Sequence, residues 1–380
     1  MNILQVMGCT SNQYASMERY LVEKCSFLSR NNSNLFIVYE NNPTSENFVE
    51  DFQNAGGKIY KAKLKNIYDL KYYRKVYDII IKNNIDIVHT YFTPTCHYLN
   101  IYLTFKGFKN LVRTAANLPI SFKKNKKRYS LFTYIYYSIR HRFLSKFVKK
   151  IICRSEGVRD EYLRLGISLK KLAAAFGGVD TERYKFSCEA RKKIRKSYNI
   201  KEDTILIGVF CRLVAVKGID RLLEFFCELS LHYKEMKLFV AGDGQELENL
   251  KKLSNSLKLS DSIHFLGQIE DVSKLYSALD IFCLPSLAEG MSNSLLEAMA
   301  CELPIIATDI DPNRELVTEG RGGFLISFRN KEEFKDRIEN LLDKKIREDM
   351  GKYNRLKVAS HFSVISRVEK EFKIYNQLLT

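Results

Sequence analysis

Short apolar segments alternate with longer segments of helical periodicity along almost the whole chain, and this alternation constrains the fold more than any other feature. Such alternation is typical of parallel β-sheets built from strand, helix, strand units. The predicted strands form two series: residues 3–7, 35–39, 85–89, 111–114 and 150–153, then residues 204–210, 237–241, 263–266, 281–284, 304–307 and 323–326. The sequence therefore predicts an α/β protein with two Rossmann-like domains.

The length of 380 residues agrees with two domains, because one ordinary domain rarely exceeds about 250 residues. The two series of strands are separated by the charged stretch 189–201, which precedes the strong strand at Thr204. We place the boundary near residue 185, giving domains of residues 1–185 and 186–360. Residues 361–380 form a helical end that is long enough to return to the first domain.

Several classes of protein are excluded by what the chain lacks. Its apolar runs stop far short of the roughly 18 to 20 residues that a membrane span needs. The first residues lack the basic start and long apolar segment of a signal peptide, so we expect a cytoplasmic protein. Nine cysteines form no C-x-x-C pair, which favours reduced thiols over disulfides or a zinc site.

The formal net charge of +17 is concentrated in one region. No acidic residue occurs between Asp86 and Glu156, and within this stretch basic and aromatic residues interleave from Ser121 to Lys150. The densest cluster consists of Lys123, Lys124, Lys126, Lys127 and Arg128. Such a segment can lie on an anionic membrane surface or bind nucleic acid, or it can be an ordinary solvated helix face. We favour the membrane surface and expect no nucleic acid partner.

The densest signal for chemistry is the segment from Glu289 to Ala300, which follows the predicted strand 281–284. Ser292 or Asn293 can cap a helix that begins here, and backbone N–H groups from Met291 to Ser294 then favour a bound phosphate. Glu289 precedes this helix and Glu297 lies about one turn inside it. The two carboxylates can accept hydrogen bonds from sugar and ribose hydroxyls, or can merely favour the helix start.

A second constellation follows the predicted strand 204–210, where Arg212 and Lys217 stand five positions apart. The two cations can neutralise a departing diphosphate, and the arginine can donate a bidentate pair of hydrogen bonds to its oxygens. A pair of this kind is often only a surface feature. Its place at the carboxyl end of a strand favours the functional interpretation, because ligands gather there in open α/β sheets.

Two other motifs are weaker. Gly242-Asp243-Gly244 resembles the start of a dinucleotide fingerprint but lacks the third glycine, so it predicts a tight turn from strand to helix. Asp309 and Asp311 mimic a pair of metal ligands, yet their place before Pro312 is typical of turn and cap residues. We therefore predict no obligatory metal.

Four features of the second domain together resemble glycosyltransferase family 4. They are Arg212 with Lys217-Gly218, Gly242-Asp243-Gly244, the segment from Glu289 to Ala300 and the segment from Pro304 to Asp309. The resemblance covers the whole second domain and is looser in the first, where the segment 85–90 and Gly178-Val179-Asp180 match. It implies the GT-B fold, in which two Rossmann-like domains face each other across a cleft.

The resemblance also implies roles for particular residues. Arg212 and Lys217 would hold the donor diphosphate, and Glu289 would contact the donor sugar, so these three are the catalytic candidates. The further donor-binding candidates are Gly242, Gly290, Met291, Ser292, Asn293, Ser294 and Glu297, with Glu297 on the ribose. Members of the family retain the anomeric configuration, and the leaving diphosphate helps to deprotonate the acceptor without a metal or other cofactor.

The first domain departs from the family at two places. The N-terminal loop reads Tyr14-Ala15-Ser16-Met17-Glu18 where members usually have two glycines before a glutamate, and residues 114–117 lack a common histidine. The candidates for the acceptor or for this loop are Gly8, Ala15, Ser16, His89 and Asn117. A lone histidine at a strand end is more often structural, so His89 has both interpretations.

The sequence thus predicts a retaining glycosyltransferase that moves a sugar from a UDP- or GDP-sugar to a cell-surface glycan or lipid-linked saccharide precursor. We expect it to be peripheral on the inner face of the cell membrane. The alternatives are a sugar-nucleotide epimerase or a phosphorylase of the same fold and, from another class, a basic nucleic-acid-binding protein.

Overall fold

A computed structural model describes residues 1–8, 14, 16–91, 94–115 and 131–380, and it divides into two compact units. The first unit comprises Met1–Gly178 and Val364–Thr380, and the second comprises Val179–Ser363. The boundary therefore precedes the predicted residue 185. The reason is that Val179 pairs with Ser363 and donates its N–H to the Phe362 carbonyl at 2.9 Å, which joins it to the second unit.

Each unit contains one parallel sheet. The strands of the first unit are β1 Asn2–Met7, β2 Asn34–Tyr39, β3 Lys58–Lys61, β4 Ile87–Tyr91, β5 Leu111–Ala115, β6 Lys150–Cys153 and β7 Leu172–Ala174. Those of the second unit are β8 Ile205–Phe210, β9 Met236–Ala241, β10 Ile263–Gly267, β11 Ile281–Leu284, β12 Ile305–Thr308 and β13 Gly323–Ile326.

The helices connect these strands. In the first unit they are α1 Ser16–Arg30, α2 Glu46–Asn54, α3 Leu70–Lys82, α4 Pro94–Phe105, α5 Leu131–Ser145 and α6 Glu156–Arg164. The helices of the second unit are α7 Cys188–Ser197, α8 Ile219–His232, α9 Leu247–Ser256, α10 Asn293–Ala300, α11 Asp311–Leu316, α12 Lys331–Asn340 and α13 Lys344–His361, and α14 Val364–Leu379 returns to the first unit. No helix in the described part of the chain combines the length and the apolar character needed to cross a bilayer.

The strand order is β3-β2-β1-β4-β5-β6-β7 in the first sheet and β10-β9-β8-β11-β12-β13 in the second. Both follow the Rossmann pattern, in which the direction of winding reverses beside the first strand. The predicted fold class of two Rossmann-like α/β domains is therefore confirmed. The reversal in the second unit falls between β8 and β11, so the loops that leave these two strands flank the crevice where such sheets bind ligands.

All the strands predicted from the sequence are present, but two edge strands were missed. β3 reads Lys-Ile-Tyr-Lys and is partly exposed, and β7 covers only three residues, two of them alanine. An edge strand has a neighbouring strand on one side only, and its other side is exposed to water. It therefore needs no continuous run of apolar residues. By contrast, the central strand β4 is buried along its whole length, which makes its apolar pattern easy to recognise.

Candidate functional site

The loop after β8 is held against the loop after β11. Residues Ala215–Lys217 form a short 3-10 helix, which ends at Gly218 in the left-handed conformation, with φ of 62°. A Cβ atom at this glycine would lie 2.5 Å from the Pro285 carbonyl oxygen, so only glycine permits this approach. The Leu287 N–H also donates to the Val216 carbonyl at 2.8 Å. The two loops therefore present their side chains side by side.

This contact brings two of the predicted catalytic residues together. Lys217 Nζ lies 2.6 Å from Glu289 Oε1, and the two side chains are only 16% and 9% exposed. Arg212, from the same loop as Lys217, is exposed and forms no ion pair with any residue that the structure describes. The structure thus holds one cation paired with a carboxylate and leaves a second cation open to solvent beside the crevice.

Gly242 and Gly244 allow the loop after β9 to pack against the Arg212 loop. A Cβ atom at Gly242, whose φ is +133°, would lie 1.9 Å from the Cys211 carbonyl oxygen, and one at Gly244 would lie 2.3 Å from that of Leu213. The Leu213 N–H donates to the Asp243 carbonyl at 2.9 Å. The predicted tight turn from strand to helix is present here, and its glycines are required by backbone contact. The role of Gly242 in donor binding stays a prediction.

Helix α10 begins at the position that the sequence indicated. Ser292 is the N-cap, and its Oγ accepts the Leu295 N–H at 3.3 Å and lies 3.1 Å from Ser294 Oγ. Met291 and Ser292 are buried, Gly290 and Ser294 are half-buried, and Asn293 is exposed. The first N–H groups of a helix lack partners within the helix, and its dipole is positive at this end, so an anion is favoured there.

Glu297 lies on the second turn of α10, where it is buried and held by a tyrosine that the sequence analysis missed. Tyr276 donates its hydroxyl to Glu297 Oε2 at 2.8 Å, and its ring packs against Phe210 and Phe282. Burial, reinforced by the Glu297 charge, raises the pKa of Tyr276 well above its usual value. Nothing in the sequence distinguishes this tyrosine from an ordinary core aromatic residue, because only the fold places its hydroxyl on Glu297.

The pair Asp309 and Asp311 is engaged by a neighbouring arginine. Arg314 contacts Asp309 at 2.6 Å and Asp311 at 3.0 Å, and these two salt bridges occupy both carboxylates. Within the described ranges, no group of three His, Cys, Asp or Glu side chains is arranged to hold a metal ion. The expectation of a reaction without a metal stays a prediction.

In the first unit, His89 is not available to a substrate, which corrects its place among the acceptor candidates. It lies inside β4 and is completely buried. Its Nδ1 is 2.6 Å from the Tyr375 hydroxyl and its Nε2 is 2.8 Å from Thr114 Oγ1, so both nitrogens have partners. Burial, with the Lys24 charge, lowers the pKa of His89 well below its usual value, so the ring is neutral.

The environment of His89 explains why the last helix belongs to the first unit. Glu371 of α14 accepts hydrogen bonds from Lys24 at 2.7 Å, Tyr20 at 2.6 Å and Arg367 at 3.0 Å, all fully or almost fully buried. A buried carboxylate is tolerated only when it is paired in this way. This network, which joins α1 to α14, was not foreseen from the sequence.

The remaining candidates of the first domain are only partly described. Gly8 forms a bend after β1, and Ser16 is the first residue of α1. Ala15, Asn117 and the basic cluster Lys123, Lys124, Lys126, Lys127 and Arg128 lie outside the described residues.

Comparison with known protein families agrees with this geometry. A model for Glycosyltransferase Family 4 matches residues 17–183, and a model for Glycosyl transferases group 1 matches residues 190–357. The chain is 26% identical over 317 residues to the UDP-Gal:alpha-D-GlcNAc-diphosphoundecaprenol alpha-1,3-galactosyltransferase of Escherichia coli, covering 81% of this chain and 80% of that protein.

Solved structures share the fold of this chain. The chain superimposes on a glycosyltransferase from Rickettsia africae with a TM-score of 0.81 at 20% identity, covering 100% of this chain and 98% of that one. It superimposes on the Anabaena protein HepE in complex with UDP with a TM-score of 0.80 at 17% identity, covering 99% and 100%. The fold and the site thus define a GT-B glycosyltransferase. The chain belongs to glycosyltransferase family 4.

Proposed function

We propose that this protein is a retaining glycosyltransferase that moves a hexosyl or N-acetylhexosaminyl group from a UDP- or GDP-sugar to a cell-surface glycan or lipid-linked saccharide precursor. The observation that carries the proposal is the Lys217–Glu289 contact beside Arg212 and the start of α10. These groups offer positive charge for a diphosphate and a carboxylate for sugar hydroxyls at one end of the sheet.

Two similar proteins support the choice of substrates. The Escherichia coli relative is named for transfer from UDP-Gal to GlcNAc-diphosphoundecaprenol, and HepE was solved in complex with UDP. A lipid-linked acceptor also agrees with a basic protein of net charge +17, because lipid diphosphates and anionic membranes carry negative charge.

In the proposed reaction, the bond between the anomeric carbon and the donor diphosphate oxygen breaks while the acceptor oxygen bonds to that carbon from the same face. The acceptor hydroxyl proton passes to the departing diphosphate. Arg212 and Lys217 stabilise the negative charge that grows on the diphosphate, and the α10 N–H groups assist them. Glu289 orients the donor sugar and Glu297 the ribose, without a metal ion.

A panel of nucleotide sugars, read by thermal shift and by donor hydrolysis, identifies the donor because a specific ligand stabilises the fold by mass action. With that donor, Glu289→Ala and Arg212→Ala should each abolish transfer while the unfolding curve stays unchanged. Lys234→Ala, which removes an exposed cation outside the site, serves as the matched control and should keep full activity. Full activity in either site variant would refute the assignment.

The products separate the proposal from its alternatives. NMR of the product should show the anomeric configuration of the donor, and an excess of EDTA should leave the rate unchanged. An inverted product would contradict retention, and loss of activity with EDTA would contradict the metal-free reaction. Conversion of the sugar nucleotide without any acceptor would identify an epimerase. Tight, salt-dependent binding of random DNA or RNA without transfer would identify a nucleic-acid-binding protein.

We also propose that the enzyme works at the inner face of the cell membrane. The support is the acid-free stretch 87–155 with its interleaved basic and aromatic residues. The enzyme should bind anionic liposomes, and neutralising the cluster from Lys123 to Arg128 should release it. Equal binding by the neutralised variant would show that this cluster is not the contact.

A further inference from the structure

Helix α5 of the first unit carries large apolar side chains on its solvent side. Among its residues whose side chains are described, Ile135, Tyr136, Ile139 and Phe143 are exposed, Ile139 by 65% and Phe143 by 52%, and Tyr134 is exposed by only 37%. Residues 135, 139 and 143 are spaced by four and therefore share one face. A helix on a protein surface normally has the reverse arrangement, with its apolar face towards the core.

The opposite face of α5 packs against the protein through polar groups. His141 and Ser145 are buried there. Ser138 Oγ donates to the Leu165 carbonyl at 2.9 Å, and the Tyr134 hydroxyl donates to the Arg164 carbonyl. These hydrogen bonds fix the rotation of the helix, so its apolar face cannot turn inwards without breaking them. The exposed apolar face is thus built into the fold.

The positive charges around this apolar face indicate a negatively charged partner. The stretch 87–155 contains no acidic residue, and Arg142 and Lys146 beside the apolar face are exposed and form no ion pair within the part of the chain that the structure describes. A second copy of the chain, docked by the same face, would bring these like charges together. An anionic lipid surface instead offers an apolar layer below a layer of phosphates, which matches both features.

We infer that α5 lies in the surface of an anionic bilayer, with Ile135, Ile139 and Phe143 inserted at the boundary between headgroups and acyl chains. Arg142 and Lys146 contact lipid phosphates. The inference rests on the proposed function, since a lipid-linked acceptor requires the enzyme to work at a membrane. It deepens that proposal by naming helix α5, in addition to the basic cluster, as the inserting element.

The chain contains no tryptophan, so one introduced tryptophan reports its own environment without background. In full-length Ile139→Trp, fluorescence should shift to the blue on addition of phosphatidylglycerol-containing vesicles and should be quenched by brominated acyl chains. Leu231→Trp on α8 of the second unit is the matched control, because Leu231 is 73% exposed. No shift for Ile139→Trp, or an equal shift for Leu231→Trp, would overturn the inference.

A second variant tests the contribution of the face to binding. Ile139→Ser with Phe143→Ser should lower partitioning onto phosphatidylglycerol vesicles at least tenfold, whereas Leu231→Ser with Leu356→Ser, both exposed leucines of the second unit, should leave it unchanged. Unchanged partitioning of the α5 variant would contradict the inference. A wild-type dimer that the α5 substitutions dissociate, without vesicle binding by either form, would instead assign this face to a second copy.

Donor hydrolysis in solution distinguishes the two proposals. The α5 variant should hydrolyse the nucleotide sugar at the wild-type rate, because the face lies in the first unit and the donor residues lie in the second. If wild type neither hydrolyses nor transfers any sugar nucleotide, the proposed function fails whatever the vesicles show. If wild type transfers sugar but α5 does not insert, the surface assignment alone fails.

Discussion

Replacing Glu289 with glutamine should make the protein bind a free nucleoside diphosphate more tightly, although it removes a residue of the proposed active site. The reason is that Glu289 and the diphosphate compete for the same ammonium group. Lys217 Nζ lies 2.6 Å from Glu289 Oε1, with both side chains largely buried. A diphosphate that takes the lysine must first separate this pair.

The magnitude follows from the strength of such a contact. A hydrogen bond to a charged group contributes about 1.5–3 kcal/mol, and these side chains are too buried for solvent to screen much of it. Because about 1.4 kcal/mol corresponds to a factor of ten, removing the competing charge should lower the Kd of UDP or GDP roughly tenfold or more. Sugar transfer should nevertheless be lost, because Glu289 also orients the donor sugar in the proposed reaction.

Calorimetric titration of wild type, Glu289→Gln and Asp243→Asn with UDP and GDP provides the assay. Asp243 is an exposed carboxylate of the neighbouring loop that does not pair with Lys217, so it controls for the change in net charge alone. Its substitution should alter the Kd by less than about twofold. Equal gains in the two variants, or no gain in Glu289→Gln, would show that the ion pair does not oppose diphosphate binding.

Three further predictions concern the surroundings of the site. Tyr276→Phe removes one of the hydrogen bonds that hold Glu297, so it should raise the donor KM by about five- to tenfold at little change in kcat and should reduce the discrimination between UDP and 2′-deoxy-UDP. An unchanged ratio of the two affinities, in an enzyme that discriminates between them, would exclude this positioning role. Gly242→Ala should lower the free energy of unfolding of the second unit by at least about 3 kcal/mol in urea, because the new Cβ would clash with the Cys211 carbonyl. Gly267→Ala, at positive φ but with open space around it, should lower it by about 1 kcal/mol. Similar losses in the two variants would show that the positive φ, rather than the clash, causes the destabilisation. The stability of the first unit should fall as the pH drops below about 6.5, because the pKa of buried His89 is lowered and unfolding then takes up a proton. His89→Gln should reduce that slope by about 0.7 kcal/mol per pH unit at pH 6.5 and by about 1.4 kcal/mol per pH unit below about pH 5.5, measured in pH-dependent urea titrations. An unchanged slope would mean that His89 is already protonated in the folded protein.

Predictions from the sequence were most reliable where the candidate site residues directly follow strands with a clear apolar pattern. The strands β8 and β11 are continuous apolar runs, and the residues that follow them carry the charges of the proposed donor site. Since parallel strands end at one edge of a sheet, Arg212, Lys217 and Glu289 could be assigned to one place from the sequence alone. Ser292 could be proposed as a cap because its hydroxyl acts only on neighbouring residues of the chain.

The residues that escaped prediction act over long distances along the chain. Glu371 and Lys24 are separated by almost the entire sequence, and Tyr276 lies on the short 3-10 helix Leu275–Ala278, before β11, from which its hydroxyl reaches Glu297 of α10. His89 resembled a site residue at a strand end, but its burial depends on α14 covering β4. None of these contacts can be predicted from the pattern of neighbouring residues in the sequence.

By itself, therefore, the sequence determined two Rossmann-like domains and the residue types of the proposed diphosphate site, because hydrophobic period and capping are local properties. The tertiary structure decided that Lys217 is already paired with Glu289, that Tyr276 holds Glu297 and that α5 turns its apolar face to solvent. These outcomes depend on which distant groups become neighbours and on how deeply each is buried. Packing alone sets both.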